Sequence, residues 1–557
     1  MQPNSKLEQA VAAFQQGDLE RARRLAEHSA QAGPSPQADH LLGLICCRRG
    51  EIEAGIEHLG RAAEAEPDNL AFRVMLVRAL VDSGRAVEAL DVAPPPSGTS
   101  PPEIALWRVR AEAATAAASY LAAAEAWRAI CLACPADPRA WIDAGRALLA
   151  LNDFGGAEQA YLRALAIVPV AEDALYELGL IYERIGKFEQ LVQLLNEAFR
   201  AGIAKERLGY LWAVLERHAG DLHSAREMLL RSGPPRDPVR WHRLRSRIAD
   251  EDGDAAEAFE AATAMNRASS DFDAWRKRSA IYREELRHLA RTMTREWASG
   301  IIRLGPGERC APVFLVGFPR SGTTLLDTFL MGHPRIAVVE EKGVLLQALE
   351  AIGPMADLIH CSTEHLERAR HLYFGKLDRY VEPTFDGVIV DKAPLNMLAV
   401  PAIHALFPKA TIIFAQRHPC DAVLSGFMQS FVANFGMANF LDIEDAADFY
   451  DAAMRLWSAS CKALQPTVHS VVYEQLVETP ESVLEPLVRR LGLDWRARML
   501  DHRATASARG LVMNTSYDQI TQPLSAAASG RWRRYQMQLE PVLPVLLPWA
   551  EQLGYRA

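Results

Sequence analysis

Four prolines, Pro67, Pro101, Pro135 and Pro169, stand 34 residues apart. Between them Gly50, Gly84, Ala118, Asn152, Gly186 and Gly220 keep the same period, about halfway from one proline to the next. Five residues after these positions come Gly55, Ala89, Ala123, Ala157 and Ala225, with Leu191 alone breaking the series. A fixed period of this length specifies a stack of like units, each burying its apolar face against the next. The alanine-rich units read as helix, small turn residue, second helix and closing proline. The small residue after the turn lets the second helix approach the first.

A 34-residue helix–turn–helix unit of this kind resembles the tetratricopeptide repeat (TPR). Leu41-Leu42-Gly43, Trp141-x2-Ala144-Gly145 and Tyr176-x2-Leu178-Gly179 sit near the first-helix positions of that repeat. The expectation is a solenoid over residues 1–266 with six to eight units, some degenerate. Gly17 lies 33 residues before Gly50, the last unit around Gly253 is out of phase, and Pro94-Pro95-Pro96 stiffens one loop. Such a solenoid offers a concave surface for a protein or peptide acceptor, or for another subunit. The plainer reading is a helical spacer with solvated polar faces. Residues 267–310 read as a helical linker closed by Gly305-Pro306-Gly307, where a new domain begins.

At 557 residues the chain exceeds one core. A net charge of −9 opposes a general nucleic-acid binder, which would be basic, while leaving room for a local cationic pocket. The eight cysteines are scattered, and Cys131-x2-Cys134 lacks a second ligand pair, so no metal site is expected. The N-terminal residues lead into an amphipathic helix rather than an apolar run, and no stretch of ~18 apolar residues follows. The expectation is a cytoplasmic protein without a membrane span.

From Pro312 the grammar changes. Val313–Gly317, Gly387–Asp391, Ala410–Gln416 and Val468–Tyr473 read as strands separated by helices, which implies an α/β domain over 311–557 with a parallel central sheet. The first strand runs into Gly317-Phe-Pro-Arg-Ser-Gly-Thr-Thr324, and Leu325, Leu326, Phe329 and Leu330 then recur at helical spacing. Strand, turn and helix together aim backbone N–H groups and the helix dipole at one point, an anion cradle. Gly317-x4-Gly322 is nearly a nucleotide P-loop, yet Thr323 stands where that loop has lysine. A second anion site is expected where the strand 410–416 delivers Arg417, with Ser425 eight residues on inside a helix. Arginine's planar fork suits tetrahedral oxyanions, and a serine hydroxyl completes the cage.

These residues resemble the sulfotransferase superfamily, whose donor is 3′-phosphoadenosine 5′-phosphosulfate (PAPS). The loop residues Arg320, Ser321, Gly322, Thr323 and Thr324 are similar to those that bind the 5′-phosphosulfate; Arg417 and Ser425 are similar to the pair on the 3′-phosphate. Pro-Arg-Ser-Gly-Thr-Thr followed by His333-Pro334 and Glu340-Glu341 most resembles protein-tyrosine sulfotransferases. The resemblance implies Glu341 as general base and Lys392, in Asp391-Lys-Ala-Pro, at the leaving phosphate, with Arg320 sharing that role. It further implies Tyr473 and Arg531 as donor contacts and Ser516 facing the phosphosulfate. The product would be adenosine 3′,5′-bisphosphate, the acceptor a protein tyrosine, and no metal is needed. Gln429, where the tyrosine enzymes have arginine, and Arg531, where they have lysine, depart from the pattern and loosen the tyrosine assignment.

His418 and His333 read as structural turn residues. In an extended segment Glu340 and Glu341 face opposite ways, so only one is expected in the site. Three alternatives remain open on the residues alone: the same chemistry on a carbohydrate or small-molecule hydroxyl, a P-loop kinase or NTPase, and a repeat scaffold with an inactive transferase domain.

Overall fold

The computed structural model describes the chain except residues 1–2, 32, 34, 233–235, 308, 509–523, 525–527 and 556–557. It divides into two compact units, Met1–Gly233 and Pro234–Ala557.

The first unit is the expected helical stack. Its described residues form seven antiparallel pairs, from Pro3–Gln15 with Leu19–Gln31 to Gly209–His218 with Leu222–Arg231. Pro101 opens the helix Pro101–Ala116, and Pro67, Pro135 and Pro169 lie in the turns just before the next pair begins. All six turn positions have left-handed backbone: Gly50 (φ 80°), Gly84 (81°), Ala118 (55°), Asn152 (61°), Gly186 (71°) and Gly220 (87°). The period thus marks a conformation, which glycine adopts freely, asparagine tolerates, and alanine adopts only at a cost. The small residues mark close approach. A Cβ on Gly55 would lie 2.5 Å from Cys47 Sγ, and one on Gly145 would lie 2.7 Å from the Tyr161 ring.

The second unit is built on a parallel five-stranded sheet of order β2-β3-β1-β4-β5: β1 Val313–Gly317, β2 Ile336–Glu340, β3 Val388–Lys392, β4 Thr411–Gln416 and β5 Thr467–Val472. Central β1 is buried at all five residues, as a strand covered on both faces must be. One face packs Phe314, Val316 and Phe318 against the helix Ile443–Leu464; the other packs Leu315 against Leu326, Phe329 and Leu330 of the loop helix. A Cβ on Gly317 would lie 2.5 Å from Ala415 O, so glycine is required where β1 leaves β4. Four of the strands fall at the expected places; β2 was not expected.

The expected end of the solenoid at 266 and the linker over 267–310 do not coincide with the division of the structure. The pair Pro238–Glu251 and Ala255–Arg267 and the long helix Phe272–Thr292 belong to the second unit. Their polar residues explain why. Asn266 Nδ2 donates to Phe427 O and Phe440 O, at 2.9 and 3.2 Å. Buried Arg283 donates to Asn439, Asp445 and Asp448. A buried guanidinium with three acceptors fixes a helix far more firmly than solvated side chains do.

Candidate active site

The turn after β1 holds two left-handed residues, Arg320 at φ 70° and Gly322 at 88°. Gly322 has no substitute, since a Cβ there would meet Tyr473 Cδ2 at 2.4 Å. Arg320 carries strain of about 1–2 kcal/mol, which persists only if neighbours over-determine it. They do: Arg417, at the carboxyl end of β4, donates through Nη1 to Arg320 O (2.8 Å) and through Nη2 to Ala528 O (2.7 Å). The Arg417 guanidinium also stacks 4.6 Å from the Tyr473 ring centroid. Beyond Gly322 the helix Thr323–Met331 begins, and a helix N-terminus presents donors and positive potential. Ser321 N–H, expected among the anion donors, donates instead to Phe318 O (3.1 Å) and closes the turn.

The two stretches read separately in the sequence as anion sites are brought together. Arg320 Nε donates to Ser425 Oγ (3.1 Å), from the loop to the helix Pro419–Phe427. Arg417 Nε is buried with no hydrogen-bond partner among the described residues. Burial, with the charges of Arg417, Arg531 and Arg243, pushes the Arg320 pKa down to about 10. Such crowding of like charges is relieved by a bound anion.

Beside this cradle stands Lys392, the last residue of β3, with its side chain fully buried. Its Nζ donates to Glu341 Oε1 (2.6 Å), Glu340 Oε1 (3.1 Å) and Thr324 Oγ1 (3.2 Å), and Asp327 Oδ2 lies 3.5 Å away. Burial opposes the charged form, but Asp327, Glu341 and Glu340 outweigh it, so the pKa is raised. The ammonium that the P-loop-like turn lacks at 323 therefore arrives from β3.

Both glutamates reach this lysine, against the strand-alternation expectation. β2 ends at Glu340, and Glu341 takes left-handed backbone (φ 49°) while its N–H donates to Lys392 O (2.7 Å). That reversal turns Glu341 back toward the same ammonium. The two differ in exposure: the Glu341 side chain is 48% accessible and Glu340 12%, so Glu341 is the carboxylate an incoming molecule can touch. Neighbouring Asp391 is buried in the core, where it accepts from Tyr373 Oη (3.0 Å) and burial pushes its pKa up to about 6.

Ser516 lies outside the described residues. His333 serves a turn, with Nε2 against Asp494 O and Nδ1 accepting from Arg335 N–H. His418 is buried, stacks on Trp532 and is pushed down to about 4 by burial, so it is neutral near pH 7.

Residues 312–497 match the Sulfotransferase family, and residues 108–172 and 143–203 match the Tetratricopeptide repeat. Over residues 312–497 the C-terminal unit is thus similar to sulfotransferases. A protein of Aquifex aeolicus (strain VF5), named only as uncharacterized, is 28% identical over 257 residues, 43% of this chain and 32% of its own length. Protein-tyrosine sulfotransferase 1 of Danio rerio is 25% identical over 260 residues, 44% of this chain and 72% of its own. The chain thus spans about a third of the first relative. A tetratricopeptide repeat protein of Parabacteroides merdae overlaps 43% of this chain and 95% of its own at 17% identity, with a TM-score of 0.35.

The family match ends before Arg531 and begins after Asp250, yet these two meet within the second unit. Arg531 Nε and Nη2 contact Asp250 at 3.2 and 2.9 Å, and Tyr535 Oη donates to the same carboxylate at 2.6 Å. Asp250 and Arg243 lie seven residues apart on the helix Pro238–Glu251, hence on one face. Sequence reasoning did not place this helix beside Arg320 and Arg531, because its residues read as a further repeat unit. Among the described residues no group of acidic, His and Cys side chains has the makings of a metal site, and no helix is long and apolar enough to cross a membrane.

Proposed function

We propose that the protein transfers a sulfuryl group from PAPS to an acceptor hydroxyl, releasing adenosine 3′,5′-bisphosphate, and that the acceptor is a protein tyrosine. The observation that carries this reading is Lys392 Nζ, which touches both the anion loop, at Thr324 Oγ1, and the accessible carboxylate Glu341. A cation between an anion cradle and a base is what in-line transfer to a hydroxyl needs.

The residues fit the donor. Arg417 Nε is buried without a partner among the described residues, and the charges of Arg417, Arg531 and Arg243 all act on Arg320. An anion with phosphate at both ends compensates such a cluster. Glu341 takes the acceptor proton as the new S–O bond forms. Lys392 and Arg320 stabilise the charge on the phosphate oxygen that keeps the electrons of the broken S–O bond. Ser425 orients Arg320, Tyr473 supports Arg417, Ser321 closes the loop, and Thr323, Thr324 and Gly322 form its helix mouth. Ser516 is assigned to the phosphosulfate on resemblance alone. The likeness to a protein-tyrosine sulfotransferase and a repeat segment suited to an extended chain favour a tyrosine in a protein or peptide.

Incubating the full chain with radiolabelled PAPS and a panel of tyrosine peptides, oligosaccharides and small alcohols tests the reading. Label on tyrosine peptides, lost in Glu341→Gln while adenosine 3′,5′-bisphosphate still binds, is the expected result. Label only on sugars or small alcohols corrects the acceptor. Absence of both transfer and nucleotide binding overturns the donor, and stabilisation by ATP–Mg²⁺ alone turns the reading to a kinase or NTPase.

A further inference from the structure

Three carboxylates surround one ammonium, and only one of them is sealed from water. Asp327 and Lys392 side chains are both 0% accessible, 3.5 Å apart, whereas Glu340 is 12% and Glu341 48% accessible. Asp327 stands on the loop helix one turn after Thr324, so both face the end of β3 (i, i+3). The geometry of the ammonium is divided accordingly. Its three N–H groups are directed at Glu341, Glu340 and Thr324, all within 3.2 Å, while Asp327 sits just outside hydrogen-bond range. Asp327 therefore acts through charge, and Lys392 can turn its N–H groups without losing it.

Turnover makes that division matter. A base that accepts a proton stops being a counterion. At that moment Lys392 loses the charge of its 2.6 Å partner Glu341 and must direct an N–H to the leaving-group oxygen. A fully buried ammonium deprived of compensation gives up its proton.

We propose that Asp327 is the positioning residue of the transfer reaction, the permanent buried counterion that keeps Lys392 protonated and in place while its hydrogen bond moves from Glu341 to the leaving group. This rests on the reading of Lys392 and Glu341 given above. Asp327 touches neither donor nor acceptor; it works through Lys392. The groups facing Lys392 are Asp327 from the loop helix and Glu340 and Glu341 from the end of β2, with the neutral Thr324 hydroxyl.

The test is Asp327→Asn, which keeps the shape and removes the charge. With one of three anions gone, the Lys392 pKa falls, so the protonated lysine is lost at lower pH. The alkaline limb of the kcat–pH profile should move acidward by roughly one unit or more, and kcat near neutrality should fall about tenfold or more. The dissociation constant for adenosine 3′,5′-bisphosphate should stay within about threefold. Asp327→Glu retains the charge and should restore the limb whatever its effect on kcat. Asp327→Ser, smaller and equally neutral, gives the same readout if the asparagine packs badly. An unmoved limb in both neutral variants of an active enzyme overturns the assignment. A second readout needs no turnover: pH titration of selectively ¹³Cε-labelled lysine, with the Lys392 signal assigned by its absence in Lys392→Arg. A lower titration midpoint in Asp327→Asn is expected even if no acceptor is found, and an unchanged midpoint overturns the counterion role by itself. A wild-type chain with no transfer but with the shifted lysine signal places the failure in the reaction, not in the counterion.

Discussion

Arg320 Nε donates to Ser425 Oγ across 3.1 Å, and this bond joins the anion loop after β1 to the Arg417 site after β4. Both partners are held from behind, Arg320 by Arg417 at its carbonyl and Ser425 by its place in a buried helix. Ser425→Ala removes the acceptor and leaves Arg320 without its guide. Binding of adenosine 3′,5′-bisphosphate should weaken roughly 5- to 30-fold, as expected for about 1–2 kcal/mol. Titration calorimetry reads this directly, and an unchanged dissociation constant would separate Ser425 from the donor site.

Asp250 ties the helix Pro238–Glu251 to the segment that carries Arg531. It accepts from Arg531, Arg534 and Tyr535, all on the segment after Gly530, while Asp421 accepts from Gly530 N–H and Trp532 N–H. Asp250→Asn should lower stability by roughly 1–3 kcal/mol, because three donors lose one charged acceptor. It should also weaken adenosine 3′,5′-bisphosphate binding, since Arg531 loses its anchor. Denaturant titration and calorimetry on one preparation test both; a stability loss with unaltered affinity would remove Arg531 from the donor.

Much of this was legible in the sequence because it rests on local chemistry. A 34-residue period, a strand–turn–helix with two glycines, and arginine at a strand end each follow from near neighbours. What escaped depends on contacts distant in the chain or on single dihedral angles. β2 is five residues, Ile336–Glu340, between a proline turn and a helix start, too short for its alternation to stand out. Glu341 joins Glu340 at Lys392 through one left-handed residue, and nothing in Glu-Glu-Lys signals that reversal. Asp327 reads as one polar residue in an apolar helix until β3 places an ammonium beside it. The helix carrying Asp250 and Arg243 reads as one more repeat unit, because its sequence cannot reveal that Asn266 and Arg283 fasten the segment that follows.

The left-handed turns of the repeat unit give a prediction independent of function. Ala118 occupies at φ 55° the turn position that five of the other helix pairs, at Gly17, Gly50, Gly84, Gly186 and Gly220, give to glycine. Ala118→Gly removes Cβ strain of about 1–2 kcal/mol, offset in part by the greater freedom of glycine in the unfolded chain. A net gain of roughly 0.5–1 kcal/mol is expected, read as a rise in the melting temperature of the helical unit. A fall in that temperature would mean that the alanine methyl contributes packing that outweighs its strain.

His418 couples acidity to the stability of the domain. Its ring stacks 5.1 Å from Trp532 at 15° and meets Tyr555 edge-on, with neither ring nitrogen bonded among the described residues. Burial first, then the charges of Arg533 and Arg417, push its pKa down to about 4, against partial opposition from Glu474. A histidine whose folded value lies below its unfolded value of about 6.5 binds protons more readily when unfolded. Its contribution is therefore complete above pH 6.5 and is lost as pH falls toward 4, by up to about 3 kcal/mol. His418→Phe keeps the stack with Trp532 and has no proton to take up. Its stability relative to wild type should rise steadily between pH 7 and pH 4.5 in urea unfolding, with the difference near its minimum at pH 7. Parallel curves across that range would mean that the imidazole takes up its proton as readily in the folded protein as in the unfolded chain, with water or a carboxylate reaching a ring nitrogen.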